Sequence, residues 1–160
     1  MRAFWLTYRE ASPEEPQGWP LVELRRLIRR FEVNPAVTTA WWRLAEHGAA
    51  RIGDRVYLFR QGKGPRGIFG SGHIVAAPAP PGGDDRAAGG MGCRIRFDRL
   101  VDPWARMLVP LESAAEFLPA SLVQAAASGV VVPPALVPAI EGLLAAAPGR
   151  APQPESRGAA

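Results

Sequence analysis

The chain has 160 residues, 48% hydrophobic and 21% charged, a single-domain length with enough apolar material to bury a core. Its 19 basic and 15 acidic side chains leave a net charge of +4. This composition excludes collagenous, coiled-coil, disulfide-framework and wholly disordered architectures. A single cysteine, Cys93, and two histidines are too few for a zinc site built from those residues. No run approaches the ~18 apolar residues of a membrane span, and the N-terminus lacks a basic-then-apolar signal, so the expected location is cytoplasmic and reducing.

In chain order, Ala3 to Tyr8 is aromatic-rich and predicts a strand, and a Pro/Glu loop follows to Trp19. Pro20 suits the first position of a helix on which Leu21, Leu24, Leu27, Ile28 and Phe31 recur at helical spacing. Arg25, Arg26, Arg29 and Arg30 fall on the opposite side, and Asn34-Pro35 ends the helix. Thr38 to His47 reads as a helical turn or a strand entry. Gly53-Asp54 predicts a turn, and Arg55–Arg60 and Ile68–Val75 a hairpin. Residues 79–92 predict a mobile loop rich in Pro, Gly, Ala and Asp, with Asp84-Asp85 solvated. Cys93–Phe97 alternates as a third strand, and Met107–Val109 suggests a fourth. Short helices are expected around 112–118 and 134–147, then a disordered tail from Pro148. Short strands that do not alternate regularly with helices argue for an α+β domain around a small barrel.

The charge is concentrated. Residues 21–66 hold ten basic and four acidic side chains, and every basic residue of the chain except Lys63 is arginine. Arginine suits bidentate phosphate recognition, although GC-rich codon usage would give the same bias. Five tryptophans are many for this length, and adjacent Trp41 and Trp42 would point to opposite sides of an extended segment. Core packing and base stacking both explain such rings. Gly70 and Gly72 bare one face of a strand, which fits either a close backbone packing or the approach of a flat ligand.

Catalytic signals are absent: there is no nucleophile elbow, no phosphate loop and no paired-histidine motif. The glycines from Gly67 to Gly72 lie within a strand and do not form a dinucleotide fingerprint. The sequence therefore predicts a protein that is not an enzyme and carries no cofactor.

Arg51-Ile52-Gly53-Asp54-Arg55-Val56, Arg60-Gln61-Gly62, Pro65-Arg66-Gly67-Ile68 and Gly70-Ser71-Gly72-His73, preceded by Trp42, make a fairly specific run. With Arg96-Phe97-Asp98-Arg99-Leu100-Val101-Asp102-Pro103, Pro110-Leu111 and Ser128-Gly129, the chain resembles the EVE family of the PUA-like superfamily. The likeness covers roughly residues 3–147 and is best to EVE domains that accompany HNH nucleases in modification-dependent restriction. It implies a PUA-like small β-barrel flanked by short helices, with a pocket for one flipped base. Relatives carry an aromatic in the loop after the Gly-rich strand and a tryptophan and glutamine before Ser-Gly. Here residues 78–92 hold no aromatic, and Val123 and Ala126 stand at the other two places. Trp5, Trp19, Phe69 and Trp104 are the aromatics left to compensate.

The resemblance implies a base-binding set of Trp41, Trp42, Phe69, Gly70, Ser71, Gly72 and Ser128, with Trp42 stacking on the base. Phosphates are expected on Arg25, Arg29, Arg51, Arg60, Lys63 and Arg66. The expected ligand is methylated or hydroxymethylated cytosine in DNA, with a nuclease as the effector partner. RNA binding by a PUA-like domain is one alternative. A protein-interaction or small-ligand module with a degenerate pocket is another.

Overall fold

A computed structural model describes residues 1–16, 18–83 and 90–147. The Asp84-Asp85 pair and the expected tail at 148–160 lie outside the described residues. Seven strands form one mixed sheet curled into a half-barrel: β1 (Ala3–Tyr8), β2 (Thr39–Arg43), β3 (Arg55–Arg60), β4 (Gly67–Ile74), β5 (Gly92–Leu100), β6 (Val109–Pro110) and β7 (Val130–Val131). Their spatial order is β2-β5-β4-β3-β1-β7, with β6 paired to β4 off that path. Among the described residues the α-helices are α1 (Leu21–Val33), α2 (Leu111–Ala114), α3 (Ala120–Val123) and α4 (Val137–Ala146). The architecture is α+β.

The predicted hairpin is β3 and β4, antiparallel from Arg55↔His73 to Arg60↔Gly67. On its other side β3 pairs with β1 in parallel, Ala3 opposite Arg55 and Tyr8 opposite Arg60. Flanked on both edges and covered on both faces, every residue of β3 is buried. The third predicted strand is longer than its alternation indicated. It runs as β5 along β4 and carries β2 on its far edge, so the Thr38–His47 segment resolves into a strand.

Two irregularities curl the sheet. Phe69 is the extra residue of β4 between the Leu58↔Gly70 and Phe59↔Ile68 pairs. Asp98 is the extra residue of β5 between the Ser71↔Arg99 and Gly72↔Phe97 pairs. Each bulge bends its strand and increases the local twist. Between them the glycines of β4 have a packing reason. A Cβ on Gly72 would lie 2.2 Å from the Arg96 carbonyl oxygen, and one on Gly70 3.1 Å from the Leu100 side chain. Close packing of β5 beside β4 excludes a side chain at Gly72 and leaves little room for one at Gly70.

Trp5, Tyr8, Tyr57, Phe59 and Phe69 are fully buried, Trp5 stacking on Phe59 at 5.0 Å between ring centres. Helix α1 buries Leu24, Leu27 and Ile28, each worth about 1.5–3 kcal/mol, and leaves its four arginines exposed. Pro20 is the N-cap rather than the first helical residue, at ψ 130°, because its extended backbone brings the Pro/Glu loop in at an angle. That loop is closed at its neck by Ala11 N–H to the Trp19 carbonyl (2.7 Å) and Trp19 N–H to the Arg9 carbonyl (2.8 Å). The loop expected at 79–92 is likewise tied at its ends by an Ala79↔Gly92 bridge.

Candidate nucleic-acid interface

Three arginines of the positive stretch meet at a cleft of about 1010 Å³ between α1 and the edge strand β2. Arg26, Arg29 and Arg30 reach it from α1, and three- and four-residue spacing puts them on one flank of the helix. Arg94 of β5 adds a fourth guanidinium, and Glu23 is the only carboxylate in the lining. Among the described residues Arg26, Arg29 and Arg30 have no ion-pair partner. Trp19 and Trp41 supply the aromatic part of the lining, and Thr38 and Thr39 the hydroxyls.

Behind Trp19 stands Trp42. The two rings are stacked, 4.4 Å between centres and 18° between planes. The Trp42 indole N–H donates to Ser128 Oγ at 3.2 Å, and the same hydroxyl accepts the Thr7 N–H at 3.0 Å. Ser128 therefore fixes the ring to β1. Trp42 is only 2% exposed and belongs to the core, so the ring that meets the cleft is Trp19. Trp42 points into the core and Trp41 to the cleft side of β2, where Trp41 is also largely covered. The segment at Ala79 covers Trp41 and accepts its indole N–H at 3.0 Å.

The remaining predicted base-binding residues are not brought to the cleft. Phe69 is fully buried against Tyr8, 5.5 Å between ring centres. Gly70 and Gly72 are interior strand positions. Ser71 is fully buried and donates to Asp98 Oδ1 at 2.5 Å.

Of the predicted phosphate ligands, only Arg29 lines the cleft. Arg25 turns away and donates to Asp102 at 3.0 Å. Arg51 is exposed and caps the Gly48 and Ala50 carbonyls. Lys63 and Arg66 line a second cavity, of about 500 Å³, with Arg9, Gln61 and Gln124. Arg60 cannot reach a phosphate as placed. It is 2% exposed, forks onto Glu10 at 2.9 and 2.6 Å, and donates to the Lys63 and Pro65 carbonyls.

The expected phosphate set left out Arg94 and, from the arginine face of α1, Arg26 and Arg30, and Trp19 stood there only as an aromatic left to compensate. The three- and four-residue spacing of Arg26, Arg29 and Arg30 carried a signal for one shared face. Nothing local could have placed Trp19 on Trp42, because that contact depends on how the loop neck closes.

No family model matches the sequence, and no curated protein matches it. Solved structures do match. Human THYN1, solved in complex with DNA containing 5-methylcytosine, aligns over 90% of this chain and 98% of its own, with 13% identity and a TM-score of 0.57. A protein from Pseudomonas syringae aligns over 89% of this chain and 99% of its own, with 18% identity and a TM-score of 0.51. The chain shares the fold of these two proteins.

Away from the cleft, an ionic network centred on the buried Arg55 fastens α4 to the sheet. Arg55, 5% exposed, donates to Asp98 (2.6 Å) and to Glu141 (2.6 Å), and Tyr57 donates to the same Glu141 oxygen (2.7 Å). Burial pushes the Asp98 carboxyl up, but the Ser71 hydroxyl and the Arg55 guanidinium outweigh it and hold Asp98 below the ordinary carboxylate value. Glu141 is held down in the same sense, burial being outweighed by the bonds from Arg55 and Tyr57. No helix among the described residues is long and apolar enough to cross a membrane.

Proposed function

We propose that this domain is a non-catalytic nucleic-acid reader that engages DNA along the α1–β2 cleft and tests a cytosine there for methylation or hydroxymethylation. The observation that carries the reading is the meeting of Trp19 and Trp41 with Arg26, Arg29, Arg30 and Arg94 in one cleft of about 1010 Å³. Aromatic rings offer a surface on which a base stacks, worth roughly 1–3 kcal/mol, while guanidiniums release counterions from phosphates. The fold shared with human THYN1, solved with 5-methylcytosine DNA, favours modified cytosine in DNA as the ligand.

In this reading a base extruded from the duplex lies against Trp19, and Trp42 braces that ring from behind. Extrusion costs a few kcal/mol, which stacking and the arginine contacts offset. The test is fluorescence anisotropy on short duplexes carrying plain, methyl- or hydroxymethylcytosine at two salt concentrations. A preference for the modified base that survives raised salt and vanishes in Trp19→Ala supports the assignment. Equal, salt-sensitive binding of all three duplexes, or tighter binding of a matched RNA, overturns it. Tighter binding by Trp19→Ala would mean that Trp19 is a plug over Trp42 rather than the platform.

A further inference from the structure

A second aromatic surface stands apart from the cleft residues, at the turn joining β3 to β4. Trp104 is 46% exposed, an unusual state for a ring held by so many contacts. Its indole N–H donates to Glu10 Oε1 at 2.8 Å, and its backbone N–H to Asp102 Oδ1 at 2.9 Å. The Arg60 guanidinium carbon sits 4.5 Å from the ring centre. Gly64, at φ +91°, lies so close that a Cβ there would be 2.5 Å from the ring. The ring is therefore fixed in place and still open to solvent.

The charges around it are selective. Glu10 is already neutralised by the fork from Arg60, and Asp102 by Arg25. Burial raises the Glu10 pKa, but the bonds from Arg60 and Trp104 outweigh it and keep Glu10 ionised against Arg60. Lys63, adjacent to Gly64, is exposed and unpaired, as is Arg66. These two cations line the cavity of about 500 Å³ at the same turn, with Gln61 and Gln124 as neutral hydrogen-bonding groups and Gly64, the neighbour of the Trp104 ring, in its wall. An exposed, rigid ring beside two uncommitted cations matches an unstacked nucleotide: base on the ring, phosphate on the cations. An acidic peptide would use the cations and leave the indole wet.

We infer that Trp104, Lys63 and Arg66 form a second subsite, which holds one unpaired nucleotide of a single strand outside the α1–β2 cleft. The inference rests on the proposal that the protein binds nucleic acid, and it adds a preference for substrates that carry a single-stranded extension.

The test uses the full chain with two probes, a pentathymidylate and a blunt duplex with or without a five-thymidine overhang. The wild type is expected to bind the pentathymidylate, and the overhang to tighten duplex binding about tenfold. Trp104→Leu, which keeps apolar bulk without a π-face, should lose that gain, and Trp104→Phe should keep most of it. Lys63→Glu, at an exposed position, should lose it with no change in thermal melting, which covers the case that Trp104→Leu fails to fold. No binding of pentathymidylate, or an overhang gain unchanged in Trp104→Leu and Lys63→Glu, overturns the subsite. The Arg26→Ala/Arg30→Ala variant separates this from the cleft reading: it should weaken the blunt duplex and leave the overhang gain intact.

Discussion

Tryptophan at position 42 and tryptophan at position 19 touch face to face, yet they answer to different physics. Trp42 is interior and bonded to Ser128, so Trp42→Ala removes a packed ring and an N–H partner together. Its expected cost is about 3–5 kcal/mol, a large share of the ~5–15 kcal/mol that holds a domain, read as a drop in the urea midpoint. Trp42→Phe should recover most of it. Tyr8 poses the opposite case. Its hydroxyl is buried, as is the Trp5 indole N–H, with no hydrogen-bond partner among the described residues. Burial pushes the Tyr8 phenol up, with the Glu10 charge adding to it. Tyr8→Phe deletes an unsatisfied polar atom at constant shape and should raise stability by about 1 kcal/mol in the same titration. A loss of stability would reveal a water bonded to that hydroxyl.

At the scale of elements, α4 is tied to the sheet by charge as well as by Ile140 and Leu144. The Asp98 and Glu141 pKa values are lower folded than unfolded, so the network contributes fully above the ordinary glutamate value of 4.5 and is lost as pH falls through the folded values. Urea melts between about pH 3 and 7 should therefore be flat at the neutral end and steep at the acid end. Glu141→Gln should lower the neutral plateau and shallow the acid slope. The elements differ in how readable they were. The β3–β4 hairpin was legible because its turn glycines and β-branched runs are local signals. The full length of β5 was not, because a bulge at Asp98 breaks the alternation on which a strand is recognised. The parallel pairing of β1 with β3 was illegible, since no local residue pattern encodes which distant strand a segment joins. The same holds for the site. The arginine face of α1 was visible as spacing, whereas the Trp19–Trp42 stack and the burial of Arg60 are products of tertiary closure.

For the whole molecule, the net charge of +4 understates the field that a ligand meets. Three unpaired arginines on one flank of α1 and two cations at the β3–β4 turn present the positive charge in two places. Each arginine that contacts a phosphate should contribute about −0.9 to the slope of log K against log salt for duplex DNA. Arg26→Ala/Arg30→Ala should therefore flatten that slope by about 2, while Arg25→Ala, already paired with Asp102, should leave it nearly unchanged. A double-log plot from about 50 to 200 mM salt measures both.

The parallel seat of β1 has a consequence for how the chain comes to be folded. Ala3 to Tyr8 leaves the ribosome before its partner Arg55 to Arg60, which follows only after α1 and β2 have been made. Until then the row Phe4-Trp5-Leu6, fully buried in the finished domain, has no strand to join. The nascent chain thus carries an adhesive, unpaired segment while the residues between β1 and β3 are made, the stage at which such rows invite aggregation. Yield in the cell should depend on how fast translation delivers β3, and slow codons between residues 34 and 54 should cost soluble protein without altering the native domain.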